Sequence, residues 1–322
     1  MGYLLSETPY PHRYIVGFLY IIFAIIPLVL HLPVVKALFF HPTYRHQYAY
    51  RIMAWHAVFE LVMQAVYAAF GVFLVAQNVF HDLFETFVSA LFNSCWYGIY
   101  LNVAFLAFNR CTVTWELDPK VAWMNGYITG FIWLLSAIHL AVGLSPLAPS
   151  KFWLDVGTSS FSGGVLRTCL EELKSCGTWI LLAISLAAYL ITVVTLLHKH
   201  WTNTLPNQTV ISKNEFRILL QGFVTFLLGS INQVINFKSQ DLFGLDSIYF
   251  IASMLVMQLI FGLLNPGLYL IINRRVVHIR QVGHCSLFRD LKKYVLNFLR
   301  LKKPGRHVQV RYKASVTTLT SH

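Results

Sequence analysis

This sequence predicts an all-α membrane bundle of seven helices, with the N-terminus outside and an amphipathic eighth helix after the last span. Of the 322 residues, 57 % are apolar and only 12 % are charged. The apolar residues fall in runs near the roughly 20 residues that a helix needs to cross the hydrocarbon. Seven runs can be counted, at residues 14–39, 52–77, 85–109, 121–144, 177–198, 215–236 and 246–273. An odd number of spans puts the termini on opposite sides. With the C-terminus in the cytosol, the inner segments hold 20 Lys and Arg and the outer segments five, which is the positive-inside bias. The net charge of +12 therefore reads as membrane topology and not as nucleic-acid binding, because the basic residues sit at the ends of apolar runs and in the C-terminal tail.

Four segments follow: a short outer tail (1–13), the seven-span domain (14–273), a cytosolic amphipathic region (274–300) and a polar tail (301–322). The outer tail is too short to be a binding domain. Span one is too long for a cleaved signal peptide and lacks the small-residue cleavage pattern, so it is expected to stay as an anchor. Pro27 and Pro33 mark kinks in it. Span two carries Glu60. A carboxyl at that depth costs about 2.5–3.5 kcal/mol if ionised, so it must face the bundle or be protonated. A neutral Glu bonded to a neighbouring Asn or Ser and an ion or switch site both fit. Span three closes on Asn109-Arg110-Cys111. Arg110 either snorkels to headgroups or reaches Glu215 at the start of span six, forming a lock across the cytoplasmic ends.

The seventh span ends in Asn265-Pro266-Gly267-Leu268-Tyr269 and stops at Arg274-Arg275. A proline there removes a backbone hydrogen bond and kinks the axis, and the freed carbonyl must be satisfied by neighbours. Beyond it, residues 287–300 alternate apolar and basic positions at helical spacing, suited to an amphipathic helix on the anionic lipids of the inner leaflet. Cys285 beside this helix is a candidate palmitoylation site. The tail 301–322 has the composition of a disordered segment.

Seven spans, Asn109-Arg110-Cys111 at the foot of the third and Asn265-Pro266-x-x-Tyr269 at the end of the seventh together resemble a G-protein-coupled receptor. Within that superfamily the chain is most similar to the nematode serpentine chemoreceptors, the Srt class and its relative Srx. The resemblance rests on Pro11-His12 before a first span of the form Tyr-Ile-x-Phe-Ala-Ile-Ile, on Ala107-Phe108-Asn109-Arg110-Cys111, on Gln221 early in span six and on Tyr269-Leu270-Ile271-Ile272-Asn273-Arg274. It implies a chemosensory receptor in the plasma membrane of sensory neuron cilia, with a small-molecule ligand and a heterotrimeric G protein as partners. Asn109, Arg110, Glu215, Asn265, Pro266 and Tyr269 would be its switch residues.

Several positions depart from the rhodopsin-like pattern. Span one has no Asn, span five no Pro, and span six neither the Trp nor the Pro of the usual toggle. Ile99 stands where such receptors often carry a sodium-binding Ser, which leaves Glu60 and Asn265 as remnants of that pocket. Span seven has no Lys for a retinal Schiff base, and no cofactor is expected. The family's usual disulfide joins the top of span three to the loop after span four. Here Cys95 lies about two turns inside the span boundary, so a local Cys169 to Cys176 bridge in the oxidising outer loop 145–176 is the expected pairing.

Ligand-binding candidates in the outer halves are Tyr67, Phe70, Asn93, Trp96, Trp179, Asn232, Gln233, Asn236 and Tyr249. Aromatics and amides are also common helix-packing groups in membranes. The sequence carries no metal-spaced cluster, no phosphate-binding Gly loop and no nucleophile elbow, so an enzyme is not expected. A seven-helix transporter or channel using Glu60 as an intramembrane carboxylate is the alternative, although no internal repeat supports it.

Overall fold

The computed structural model describes residues 12–41, 47–115, 118–154, 157–202 and 213–243, and, in the last span, 255, 256, 258, 259, 262, 263 and 265–272. Among the described residues, seven helices follow in chain order: α1 His12–Phe40, α2 Tyr48–Ala76, α3 Asp82–Thr114, α4 Asp118–Leu144, α5 Arg167–Thr202, α6 Lys213–Phe243 and α7 Asn265–Ile272. An antiparallel hairpin, β1 Ser150–Trp153 and β2 Thr158–Phe161, lies between α4 and α5. Six of the helices are long and apolar enough to cross a membrane. The chain is a multi-pass membrane protein, and the predicted spans and the observed helices correspond one to one.

Lipid tails are as apolar as the helices, so helix contact depends on close packing. Gly17 of α1 and Gly71 of α2 supply it: a Cβ on Gly71 would stand 2.7 Å from the Gly17 carbonyl oxygen. The centre of the bundle is α3, which packs on α2, α4, α5, α6 and both strands. Its start is well capped. His81 accepts the Leu83 N–H at 3.1 Å through Nδ1, and Asp82 and Glu85 occupy the first turn, where negative charge meets the positive end of the helix dipole. The preceding turn carries Gln77 at φ 50° and Phe80 at φ 64°, left-handed positions that favour Gly or Asn.

The hairpin is the main feature that the hydropathy of residues 145–176 did not indicate. It pairs Ser150 with Phe161 and Trp153 with Thr158, and it alternates buried with less buried residues along β1, so that Phe152 points inward. The Phe152 ring stacks on Phe70 with centroids 4.4 Å apart and tilts on Phe73 at 5.7 Å. Its N–H donates to Glu85 Oε1 at 2.8 Å. At the tip, the Gly157 carbonyl accepts from Tyr20 Oη at 3.2 Å. The hairpin is therefore fastened to α1, α2 and α3. The return into α5 needs Gly164 (φ 84°), where a Cβ would fall 2.0 Å from the Leu147 oxygen.

Two expectations are corrected here. Span five was expected to open at residue 177, but α5 starts ten residues earlier, at Arg167. The early turns are polar, and the Arg167–Glu171 pair (Nε to Oε1 3.2 Å) supports them at i,i+4 spacing. The expected Cys169–Cys176 disulfide is absent for the same reason: both are free thiols on one continuous helix. Seven residues of helix rise about 10.5 Å, whereas a disulfide tolerates about 7 Å between Cα atoms. Cys95 is buried and also free. The side chains of Glu215, Asn236 and Tyr269, together with Tyr249, Cys285, the amphipathic region and the tail, lie outside the described residues.

Candidate functional site

The hairpin end, which is the outer end in the predicted topology, gathers four of the nine expected ligand residues around one face of α3. Asn93, Trp96 and Tyr100 are spaced i, i+3, i+7 and so share that face. All three are buried. Asn93 donates through Nδ2 to the Ser89 carbonyl and to Ser150 Oγ of the hairpin, at 3.2 and 3.3 Å. Its Oδ1 accepts from Lys174 Nζ of α5 at 2.9 Å. The Trp96 ring meets Tyr100 with centroids at 5.4 Å and Phe92 at 6.1 Å. Tyr67 of α2 closes on Phe92 at 5.6 Å. Tyr100 Oη accepts from Asn232 Nδ2 of α6 at 3.4 Å and donates to the Gly229 carbonyl at 3.2 Å. Gln233 is buried with neither amide atom hydrogen-bonded. Asn93, Trp96, Tyr67 and Asn232 thus belong to one connected cluster. Phe70 is buried against the hairpin through Phe152, and Trp179 is exposed on α5.

A second cluster lies deeper, around Glu60. His56, Glu60 and Gln64 follow one another at i, i+4 spacing on α2, a polar stripe on an apolar helix, and all three are buried. His56 Nε2 lies 3.3 Å from Glu60 Oε1, and His31 Nε2 of α1 lies 3.9 Å from Oε2. Asn265 Nδ2 of α7 donates to Glu60 Oε1 and sits 3.4 Å from His56 Nε2. Asn265 Oδ1 accepts from Thr225 Oγ1 of α6 at 3.1 Å. Glu60 therefore joins α1, α2 and α7 directly and α6 through Asn265. These donors do not suit a sodium ion: imidazole nitrogens flank the carboxylate where a hard cation asks for oxygens, and Ile99 offers no hydroxyl. Among the described residues, no group of three or more His, Cys, Asp or Glu is arranged to hold a metal. The chemistry available to this cluster is exchange of protons and of hydrogen-bond partners.

Pro266 explains the local form of α7. It has no N–H for the Gly262 carbonyl four residues earlier, and the chain widens to a π turn at Gly262 and Leu263, a departure frequent at functional positions. A Cβ on Gly262 would stand 2.6 Å from Pro27 Cγ and 3.0 Å from Gln64 Nε2. Pro27 of α1 and the π turn that precedes α7 thus meet at close range.

At the opposite end, Arg110 is buried and donates through Nη2 to Asn109 Oδ1 at 2.6 Å. Nearby, α3 and α5 are tied twice: Trp115 Nε1 donates to Thr195 Oγ1 at 3.1 Å, and Lys199 Nζ donates to the Thr114 carbonyl at 2.9 Å. Tyr189 of α5 is buried against Phe223 and Phe226 of α6, its hydroxyl without a partner. Sequence reasoning did not single out His31, His56, Phe92, Tyr100, Lys174 or Tyr189. The i, i+4 stripe on α2 and the i, i+3, i+7 stripe on α3 were readable. Lys174 was counted only as an outer charge, because it fell in the segment taken for a loop.

The architecture is that of the rhodopsin-like seven-helix bundle. The chain is similar to squid rhodopsin, with a TM-score of 0.68 and 15 % sequence identity, over 88 % of this chain and 92 % of that one. No family model matches the sequence, and no curated protein matches it.

Proposed function

We propose that this chain is a chemosensory G-protein-coupled receptor that binds a small molecule in the outer half of the bundle and activates a heterotrimeric G protein. The observation that carries this reading is the polar junction at Glu60. Asn265, from the Asn-Pro-x-x-Tyr stretch, is bonded there to α2 and α6, between the Asn93 cluster at one end and Arg110 at the other. Ligand contacts on α3, α5 and α6 would favour an arrangement in which the inner ends of α5 to α7 separate and expose Arg110. The ligand shifts that balance only by its differential affinity for the two arrangements. The Srt-like motifs favour a receptor of the sensory cilium membrane, and the Arg110–Glu215 lock remains part of this proposal.

The test is a ligand panel applied to cells expressing the chain, with G-protein activation as the readout. A transporter or channel is the second reading, favoured by the titratable Glu60, His31 and His56 cluster. Ligand-dependent uptake or current in cells lacking G protein selects it instead.

A further inference from the structure

One charged group at the hairpin end is held in place with no carboxylate in ion-pair contact among the described residues. Lys174 Nζ donates to Asn93 Oδ1 at 2.9 Å and lies 5.4 Å from the Trp96 ring centroid and 5.6 Å from that of Phe92. Asn93 is itself fixed, because both acceptors of its Nδ2, the Ser89 carbonyl and Ser150 Oγ, turn its oxygen toward the lysine. An ammonium has three N–H donors, and one is engaged here. Among the described residues, no carboxylate forms an ion pair with Lys174. Glu171, one turn earlier, attracts Lys174 only at longer range while its carboxylate contacts Arg167, and Glu85 of α3 accepts from the Phe152 N–H. Two aromatic faces stabilise a cation but do not neutralise it. A half-buried cation set among apolar groups is completed by an anion that brings its own hydrogen-bond acceptors.

We infer that Lys174 is the anion-recognition point of the outer bundle and that the ligand is a small carboxylic acid. Its carboxylate takes the two free N–H donors of Lys174, its apolar or aromatic body covers Trp96 and Phe92, and its far end points toward Tyr100 and Asn232. The receptor reading is needed for what binding does, and not for the binding itself. An outer-leaflet phospholipid headgroup would offer the same anionic oxygens, so the experiment separates the two sources.

The full-length chain is reconstituted in nanodiscs of phosphatidylcholine alone and of phosphatidylcholine with phosphatidylglycerol. Thermal melting is titrated with butyrate, octanoate and 3-phenylpropionate, each beside its primary amide, and nucleotide exchange on added G protein is followed in parallel. At least one acid should bind about tenfold or more tightly than its amide, the scale of a charge-assisted hydrogen bond. Lys174→Met should erase that preference without weakening the amide, and Lys174→Arg should keep it. Equal affinity for acid and amide in every pair, no acid binding at all, or a preference that survives Lys174→Met overturns the inference. A phosphatidylglycerol-dependent rise in melting that is lost in Lys174→Met, with no acid preference in phosphatidylcholine, overturns it in favour of a lipid site. Amides that drive exchange as well as acids leave the receptor reading standing and the acid inference fallen. Acids that bind through Lys174 without any nucleotide exchange give the reverse.

Discussion

The two polar clusters of this bundle solve the cost of burying polar groups in opposite ways. Around Lys174 and Asn93 the groups are few and flanked by aromatic faces. The hairpin reaches them through Ser150 Oγ, and the Asn93 amide is engaged at both its nitrogen and its oxygen. Around Glu60 a carboxylate, two imidazoles and two amides lie deep between helices, and several of their atoms, including Glu60 Oε2 and both Gln64 amide atoms, lack a hydrogen-bond partner. A cation with spare donors suits a visiting ligand. A crowded set of donors and acceptors with more than one way to pair suits a switch, because interfaces with discrete alternatives are bistable and not continuously deformable.

Glu60→Leu should break the comparison most strongly. It leaves His31, His56 and Asn265 without their common acceptor and should cut ligand-driven nucleotide exchange by about 100-fold, within the range of allosteric coupling energies. Ligand affinity should change less than about threefold, and Glu60→Gln should recover part of the exchange. An equal loss of affinity and exchange would make Glu60 a packing residue. Next in size is Phe152→Ala at the hairpin end. Losing the Phe70 and Phe73 contacts should lower stability by about 2 kcal/mol, at roughly 1 kcal/mol per aromatic pair, with little change in basal exchange. Thermal melting and exchange measured together check both halves of that statement. Tyr269→Ala should reduce maximal exchange several-fold while leaving the dissociation constant of the ligand in place. If both fall together, the Asn-Pro-x-x-Tyr stretch is only a kink. The smallest effect belongs to Gln77→Gly, which relieves a left-handed position at the end of α2 and should raise stability by less than about 1 kcal/mol. A fall in melting temperature would show that the Gln77 side chain matters more than its backbone.

The number and order of the helices were legible because each span is an apolar run of membrane length, and hydropathy reports that directly. Hydropathy marks the hydrocarbon boundary, however, and not the end of the helix. The polar turns from Arg167 to Cys176 are helical, so the boundary at residue 177 hid ten residues of α5, the position of Lys174 and the impossibility of the Cys169–Cys176 bridge. Glu60, Asn265 and Arg110 stood out as polar residues in apolar runs. His31 and His56 carried the same mark but were not singled out, although His56 stands four residues before Glu60. The hairpin was out of reach for a different reason. Its strands are four residues each, and what holds Phe152 inward is a set of partners on α2 and α3 nearly 70 or more positions away in sequence.

The fastening of that hairpin also bears on time. A ligand in the proposed site beneath Ser150 and Phe152 would have to leave either past a hairpin bonded to α1 and α3 and stacked on α2, or sideways between helices into the bilayer. Each route adds a conformational step to diffusion, so association should be slower than the usual 10⁵–10⁷ M⁻¹s⁻¹ and residence correspondingly long. Under the proposed sensory role, such a bundle would average its surroundings, reporting how much of a compound has been present over a period and passing over the rapid fluctuations of a plume.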